Sequence, residues 1–151
     1  MGYVRAYEPG DAEDLAPRLR EADRREIQAS FGIPLPSLIN HSDSGIICTI
    51  STDDEVVVGL FGAIPTCDLS AAVWLVGSDA LIKPPLRRQF LVEGKTFLDA
   101  LHRFRPLLWN YVDERNRLHI RWLEWMGFTF INRHPEYGVE KRPFLEFVKV
   151  Q

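Results

Sequence analysis

The sequence has few cysteines, no long apolar run and no excess of positive charge. Two of its 151 residues are cysteine, Cys48 and Cys67, which excludes a disulfide-rich scaffold. Every apolar stretch is shorter than the run that predicts a transmembrane helix. The net charge is −3, from 18 Lys and Arg against 21 Asp and Glu, which gives no overall attraction to nucleic acid or anionic lipid.

Signals for secretion and for common cofactors are also missing. Residues 1–13 contain no apolar segment, so we expect no secretory signal. The two cysteines lie in apolar surroundings; a disulfide and two buried free thiols are both open, and we favour thiols in a reducing compartment. The sequence has no nucleophile elbow, Walker loop or dinucleotide fingerprint. The histidines share no metal-ligand spacing, so we predict no metal site; they are His41, His102, His119 and His134.

The remaining composition is that of an ordinary globular protein. Apolar residues make up 46% of the chain and charged residues 26%, which excludes a disordered tail or a fibrous repeat. A chain of 151 residues has the usual size of one domain, so we predict a single domain over 1–151.

Hydrophobic periodicity predicts strands mixed with helices. The predicted strands cover 3–7, 45–51, 55–64, 71–77, 107–112, 128–133 and 144–149, the second and third forming an antiparallel hairpin. The predicted helices cover 12–29, 36–40, 84–104 and 117–126. We expect Asp11 and Asn116 as N-caps and Gly127 as the residue that ends the last helix. This order predicts an α/β (mixed α+β) protein with a central sheet and helices on its faces.

The first predicted helix carries a dense band of charge. We favour a solvated surface with ion pairs one turn apart. The alternative is that Asp23, Arg24 and Glu26 line a cleft.

Two segments carry a family resemblance. The stretch Asn116 to Gly127-Phe128 resembles the last motif of the GNAT N-acetyltransferase superfamily, in which Asn begins a helix and Gly-Phe leads into a strand. Trp109-Asn110-Tyr111-Val112, followed by Asn116 and His119-Ile120-Arg121, resembles more closely a GNAT-like family of short-tailed bacteriophages, whose members are described as internal virion or internal core proteins. Together with 73–79, the resemblance covers roughly residues 70–131.

The resemblance implies a GNAT-like three-layer fold with a central mixed sheet of about six to seven strands between helices. It also implies acetyl-CoA or CoA as the cofactor if the protein is an enzyme. Backbone groups of Leu75 and Val76 would then align the thioester, with Asn110 and Asn116 beside the cofactor. The phosphates would be held by the basic residues Lys83, Arg87 and Arg88.

The phosphate loop departs from the superfamily pattern. GNAT enzymes have a glycine-containing loop here, whose backbone N–H groups bind the pyrophosphate. Residues 79–88 contain no glycine, and Pro84 and Pro85 remove two backbone donors. For Lys83, Arg87 and Arg88 we favour a solvated first helical turn. The alternative is an anion site for CoA, nucleic acid or an acidic protein.

The positions for proton transfer also depart from that pattern. Leu123 stands where many GNAT enzymes have a proton-donating Tyr, and 71–76 contains no acid or histidine. Asp79 and His119 are the remaining weak candidates for catalytic residues. We favour a turn or N-cap role for Asp79 and a structural role for His119.

Three functions remain open. The first is a phage GNAT-fold protein with a degenerate CoA motif, which acts in virion assembly or the internal core, or as a non-catalytic binding protein. The second is an acetyl-CoA-dependent N-acyltransferase with a divergent loop, and the third is a binding module directed at the host. A cleft between 71–77 and 107–112 would favour the enzyme; a cleft plugged by Trp74, Trp109 or Tyr111 would favour the first function.

The expected surroundings of the protein follow from the first function. We expect phage or host proteins as partners, no membrane and no nucleic acid. The expected location is the host cytoplasm, with the virion as a second location.

Overall fold

A single sheet forms the centre of the computed structural model, which describes residues 1–40 and 45–151. The described residues form seven strands: β1 (Gly2–Ala6), β2 (Ile46–Thr52), β3 (Val57–Cys67), β4 (Ser70–Gly77), β5 (Leu107–Asp113), β6 (Thr129–Tyr137) and β7 (Arg142–Val150). They lie in the order β1-β2-β3-β4-β5-β7-β6. All neighbours are antiparallel except β4 and β5, which are parallel. The hairpin of β2 and β3 is as predicted.

Helices cover both faces of the sheet. They are α1 (Asp11–Leu15), α2 (Glu21–Phe31), α3 (Leu35–Asn40), α4 (Leu86–Phe104) and α5 (Arg117–Trp125). Side chains of a strand alternate between faces: Val76 of β4 packs with α1, α2 and α3, while Val73 packs with α4 and α5. The expected mixed α+β fold with a central sheet between helices is confirmed.

The prediction of one continuous helix over 12–29 is wrong, because the helix is interrupted near its middle. α1 ends at Leu15, a 3₁₀ turn covers Ala16–Arg18, and α2 begins at Glu21. Pro17 favours the end of an α-helix, since it has no backbone N–H to donate. Arg20 N then donates to Gly77 O at 2.9 Å, and Leu19 forms a bridge with Ser78. These partners are distant in sequence and give no local signal.

Asp11 does not have the predicted N-cap role. It is the first residue of α1, and Gly10 holds the N-cap position without a side-chain bond. The buried carboxylate of Asp11 instead accepts hydrogen bonds from the Arg5 guanidinium at 2.8 and 2.9 Å and from Thr49 Oγ1 at 2.7 Å. Asp11 therefore ties α1 to β1 and β2.

Both cysteines are free thiols. Cys48 is half-buried on β2, whereas Cys67 is exposed. The prediction of a buried thiol is wrong for Cys67 because β3 ends there, in the turn that leads to β4. Among the helices in the described residues, none combines the length and apolar character needed to span a membrane. The described residues contain no cluster of His, Cys, Asp and Glu suited to a metal ion; His41 lies outside them.

Gly138 joins the turn between β6 and β7 to the C-terminal end of α2. Its φ is 74°, and a Cβ at this position would lie 2.4 Å from Ala29 O. Beside it, Val139 N donates to Ser30 O at 3.3 Å and Glu140 N to Ala29 O at 3.1 Å. Glycine is required here for both its left-handed conformation and its small size.

Gly138→Ala is expected to lower the free energy of unfolding by about 2 kcal/mol or more, because strain and steric overlap act together. Gly10→Ala is the matched control, since Gly10 also has a positive φ, of 100°, but open space around its Cβ position. It should cost about 1 kcal/mol. Urea denaturation of both variants measures the difference. Equal losses would contradict a close approach of the turn to α2.

Candidate functional site

The parallel strands β4 and β5 separate after three residue pairs. They are paired from Ser70 with Leu107 to Ala72 with Trp109. Beyond this point Asn110 Nδ2 reaches across and donates to Val73 O at 2.9 Å. The opening between 73–77 and 110–113 is called the strand gap below. The strands therefore splay as an enzyme of the resembled superfamily would require.

The edge of β4 that faces the strand gap bonds to other parts of the same chain. Val73 O is bonded to Asn110, as described above. Gly77 N donates to Asp23 Oδ2 at 3.0 Å, and Gly77 O accepts from Arg20 N at 2.9 Å. Because backbone groups alternate in direction along a strand, Leu75 between them also points its N–H and C=O into the gap.

A polar cluster from α2 and the start of α5 closes the wide end of the gap. It is called the carboxylate clasp and consists of Arg20, Asp23, Glu26 and Asn116. Asp23 Oδ1 accepts from Asn116 Nδ2 at 2.9 Å and from the Arg20 guanidinium at 3.1 Å. Glu26 Oε1 accepts from Asp113 N at 2.9 Å and from Asn116 Nδ2 at 3.4 Å. The clasp thus joins α2 to the ends of both splayed strands.

Loss of solvation changes the proton affinity of two groups at the gap. Together with the charge of Asp23, it raises the pKa of Glu26 to about 8, although hydrogen bonds from Asp113 N and Asn116 oppose the increase. Burial lowers the pKa of His119, and the charge of Asp23 opposes that change. Near neutral pH, Glu26 is therefore mainly protonated and His119 is neutral. Both act as uncharged polar groups inside the gap.

The residues predicted to bind a cofactor do not all come together. Leu75, Val76 and Asn110 line the strand gap. Asn116 is only 1% exposed, and its amide belongs to the clasp. It occupies the predicted N-cap position of α5 but makes no side-chain cap bond, because its amide is directed to α2 instead. Lys83 lies before α4, and Arg87 and Arg88 lie in its first turn; all three are exposed.

The two weak candidates for catalytic residues lie in different surroundings. Asp79 is exposed in a 3₁₀ turn, Asp79–Ile82, after β4. His119 lines the gap, with its ring centroid 5.7 Å from that of Trp122. The favoured solvated interpretation of the charged helix holds for exposed Arg24, which pairs with Glu21. It is wrong for Asp23 and Glu26, which face the gap.

Aromatic side chains line the gap on the side of α2. Trp74, Tyr111 and Tyr137 border this groove, and the rings of the two tyrosines lie 4.4 Å apart at their centroids. Trp109 does not plug it, since its indole N–H donates to Thr66 Oγ1 at the other end of the strands. Of the three aromatic residues that the sequence suggested could plug the cleft, Trp74 and Tyr111 line the gap.

The residues present do not fit coenzyme A. Within the stretch from 78 to 87, the backbone N–H groups of Ser78, Leu81, Lys83 and Arg87 already donate to backbone carbonyls, and two prolines have none. Phosphate would find few backbone donors there. Leu81 is buried and packs closely against Gly77: a Cβ added at Gly77 would lie 2.8 Å from Leu81 Cδ2. Phe90 and Trp122 stack at 5.3 Å between α4 and α5. These side chains narrow the path from the start of α4 to the gap to a cavity of about 30 Å³.

The position for a proton donor is also closed. Leu123 is 1% exposed and packs in the core between the sheet and the helices α4 and α5. It offers no titratable atom to the gap. The sequence did not single out Arg20 as part of the site, nor did it show that the Asn116 amide bonds to Asp23. A signal was present only in the i, i+3, i+6 spacing of Arg20, Asp23 and Glu26, which places them on neighbouring positions of one helix face.

Comparisons with known proteins agree with this fold. Residues 57–135 match the family model described as Bacteriophage T7, probable scaffold protein Gp13. The structure is similar to the ribosomal-protein-S18-alanine N-acetyltransferase from Escherichia coli, with TM-score 0.70, 14% identity and coverage of 99% of this chain and 94% of that chain. No curated protein matches the sequence.

Two further solved structures show the same likeness. A GNAT-family acetyltransferase from Bacillus anthracis has TM-score 0.74 at 9% identity, covering 99% of this chain and 94% of that one. A GCN5-related N-acetyltransferase from Kribbella flavida has TM-score 0.71 at 15% identity, covering 99% and 98%. These likenesses establish the predicted GNAT fold, and their low identities carry no activity with them.

Asp23→Ala should lower the free energy of unfolding by about 3–5 kcal/mol, because it leaves Arg20, the Asn116 amide and Gly77 N without their buried acceptor. Asp14→Ala is the matched control. Asp14 forms an exposed pair with Arg18 and should cost less than about 1 kcal/mol. Chemical denaturation measures both. A loss for Asp23→Ala no larger than that of the control would contradict the structural role of the clasp.

Glu26 should make the protein less stable as the pH rises. Its pKa is about 8 in the folded chain and ordinarily 4.5, so the folded state holds an extra proton between these values. The free energy of unfolding should fall through this window, by up to about 1.4 kcal/mol per pH unit. Glu26→Gln should remove that pH-dependent contribution. Glu13→Gln, at an exposed position of α1, should not. Denaturation curves at about pH 5, 7 and 9 test this; an unchanged slope in Glu26→Gln would contradict it.

Proposed function

This chain belongs to the family of the Bacteriophage T7 probable scaffold protein Gp13, and from that membership we propose that it is a non-catalytic phage protein acting in virion assembly or in the internal core of the particle. The family membership supports a role in a bacteriophage. The GNAT fold is the structural framework on which that role is built. The state of the strand gap supports the absence of acetyl transfer.

One observation carries the proposal: three backbone groups on the edge of β4 that faces the strand gap are already bonded within the chain. Gly77 N and O are bonded to Asp23 and Arg20, and Val73 O is bonded to Asn110. A ligand that needed these groups would have to break buried hydrogen bonds, each of which costs free energy when left unmade. The groups therefore support the fold rather than a cofactor.

An acetyl-CoA-dependent N-acyltransferase is the second candidate. The splayed strands, the free direction of Leu75 and the position of His119 in the gap favour it. If acetyl-CoA were held, Lys83, Arg87 and Arg88 would be the residues beside its phosphates. The narrow path beside Leu81, Phe90 and Trp122 and the loop without glycine make this the weaker candidate.

The first function also implies where the protein acts. We propose that its partners are other phage proteins, or proteins of the host, met in the host cytoplasm during particle assembly. Incorporation into the virion would follow from a role in the internal core.

Calorimetric titration of the purified protein with acetyl-CoA and with free CoA tests the non-catalytic assignment. We expect no binding up to about 1 mM ligand, since four backbone donors of the loop are engaged, two are replaced by proline, and the path to the gap is narrow. A GNAT acetyltransferase titrated in parallel is the positive control. Micromolar binding that is lost in the Lys83→Ala/Arg87→Ala/Arg88→Ala variant would overturn the assignment in favour of the enzyme.

Complementation tests the assembly role. A phage that lacks this gene should form few infectious particles, and the plasmid-borne gene should restore them. The variants Asp79→Ala and His119→Gln should restore particles as well as the unchanged gene does, because no chemistry at these residues is required. Normal particle yield without the gene would contradict the assembly role, and failure of folded His119→Gln would revive a chemical role for the gap.

A further inference from the structure

Among the described residues, most of the exposed cations that make no ion pair lie on one part of the molecule. Eight arginines form ion pairs: Arg5, Arg18, Arg20, Arg24, Arg25, Arg115, Arg133 and Arg142. The cations of α4, α5 and the residues just before α4 differ from them. In the described part of the chain, seven exposed cations of this region make no ion pair. One is Arg103 near the C-terminal end of α4, and the other six lie nearer its start or on α5: Lys83, Arg87, Arg88, Lys95, Arg117 and Arg121.

These cations come together because α4 and α5 lie side by side and run in the same direction. Phe90 stacks on Trp122 at 5.3 Å, and one turn further along, Trp125 Nε1 donates to Leu91 O at 3.2 Å. The same spacing, taken one turn back on each helix, places Arg121 beside Arg87 and Arg88. This surface is called the α4–α5 seam.

Exposed apolar side chains lie along the same seam. Trp125 is 53% exposed, Val92 63% and Leu118 39%. The Trp125 ring is held in place by its bond to Leu91 O and by Lys95 Nζ, which lies 4.2 Å from the ring centroid. A rigid, exposed tryptophan within a charged surface is the residue type that most often anchors a protein interface.

The charges of the seam select the chemistry of its partner. Like charges one turn apart repel one another when no anion lies between them, and a bound anion relieves that repulsion. Lys83, Arg87, Arg88, Arg117 and Arg121 form such a group, in a chain whose net charge is −3. An acidic partner would be attracted to this face and not to the remainder of the chain.

We propose that the α4–α5 seam binds an acidic amphipathic helical segment of a partner protein. The apolar side of such a helix would cover Val92, Leu118 and Trp125, and its carboxylates would meet the cations on either side. The apolar strip favours a peptide over a nucleic-acid backbone, because an amphipathic helix has an apolar side to cover it and a phosphate backbone has none. The inference rests on the proposed assembly role, since it names the kind of partner that role requires.

Binding of a defined probe peptide tests the seam. The probe is a labelled amphipathic helix of about 18 residues, five turns, with Leu along one side and Glu on both flanks. Fluorescence anisotropy should show binding that weakens as salt is added. Arg88→Glu/Arg121→Glu and Trp125→Ala should each weaken it by at least about tenfold. The matched control Arg24→Glu/Arg25→Glu changes exposed positions of α2 and should alter the affinity for the probe by less than about twofold.

Two other probes separate the alternatives. A peptide with Lys in place of Glu should not bind, and duplex DNA of about 20 base pairs should bind more weakly than the acidic peptide. Tighter binding of DNA, equal binding of the Lys peptide, or an equal loss in the α2 control would overturn the proposal. So would a seam-dependent dimer in size-exclusion chromatography, because the occupant would then be a second copy of this chain.

Complementation keeps this inference separate from the proposed function. Folded Arg88→Glu/Arg121→Glu should fail to restore particles, whereas the α2 control should restore them. If both restore particles fully, the seam inference fails and the assembly role stands. If the gene is dispensable for particle formation, the assembly role fails regardless of the peptide result.

Discussion

The free edge of β4 is the constraint on which much of this structure depends. After Ala72 the strand has lost β5 as a neighbour, yet its backbone groups still lie inside the molecule and need hydrogen-bond partners. Asn110, Asp23 and Arg20 supply them. Together with Pro17, this requirement explains the break between α1 and α2. It also explains the inward carboxylates of α2 and the buried position of the Asn116 amide.

The same bonds bear on chemistry. A GNAT framework leaves a gap between its central parallel strands, and an enzyme must keep the groups of that gap available to ligands. In this chain the gap-facing groups of Val73 and Gly77 are bonded within the fold, Leu81 packs against Gly77, and Leu123 lies in the core. A fold does not fix a function, because the function depends on the site built upon it. Under the function proposed here, the gap contributes stability and the outer surface contributes recognition.

The distribution of charge follows this division. Inside the gap, Glu26 is mainly protonated near neutral pH and His119 is neutral, so Asp23 and Arg20 form the charged pair of the clasp. Outside, the arginines of α2 are matched by nearby acids. The cations of α4 and α5 have no such matches among the described residues, which makes that face distinct although the chain as a whole is acidic.

The sequence by itself determined most of the elements, the hairpin of β2 and β3, the left-handed Gly127 that follows α5, and the GNAT fold. Local periodicity and the motif around Trp109 and Asn116 were sufficient for these, because both are recorded in neighbouring residues. The sequence also showed the phosphate loop without glycine. Only the tertiary structure decided the break after Leu15, the exposure of Cys67 and the role of Asp23. The partners of Asp23, Gly77 and Asn116, lie 54 and 93 residues further along the chain, and no local pattern records which distant groups a folded chain brings together.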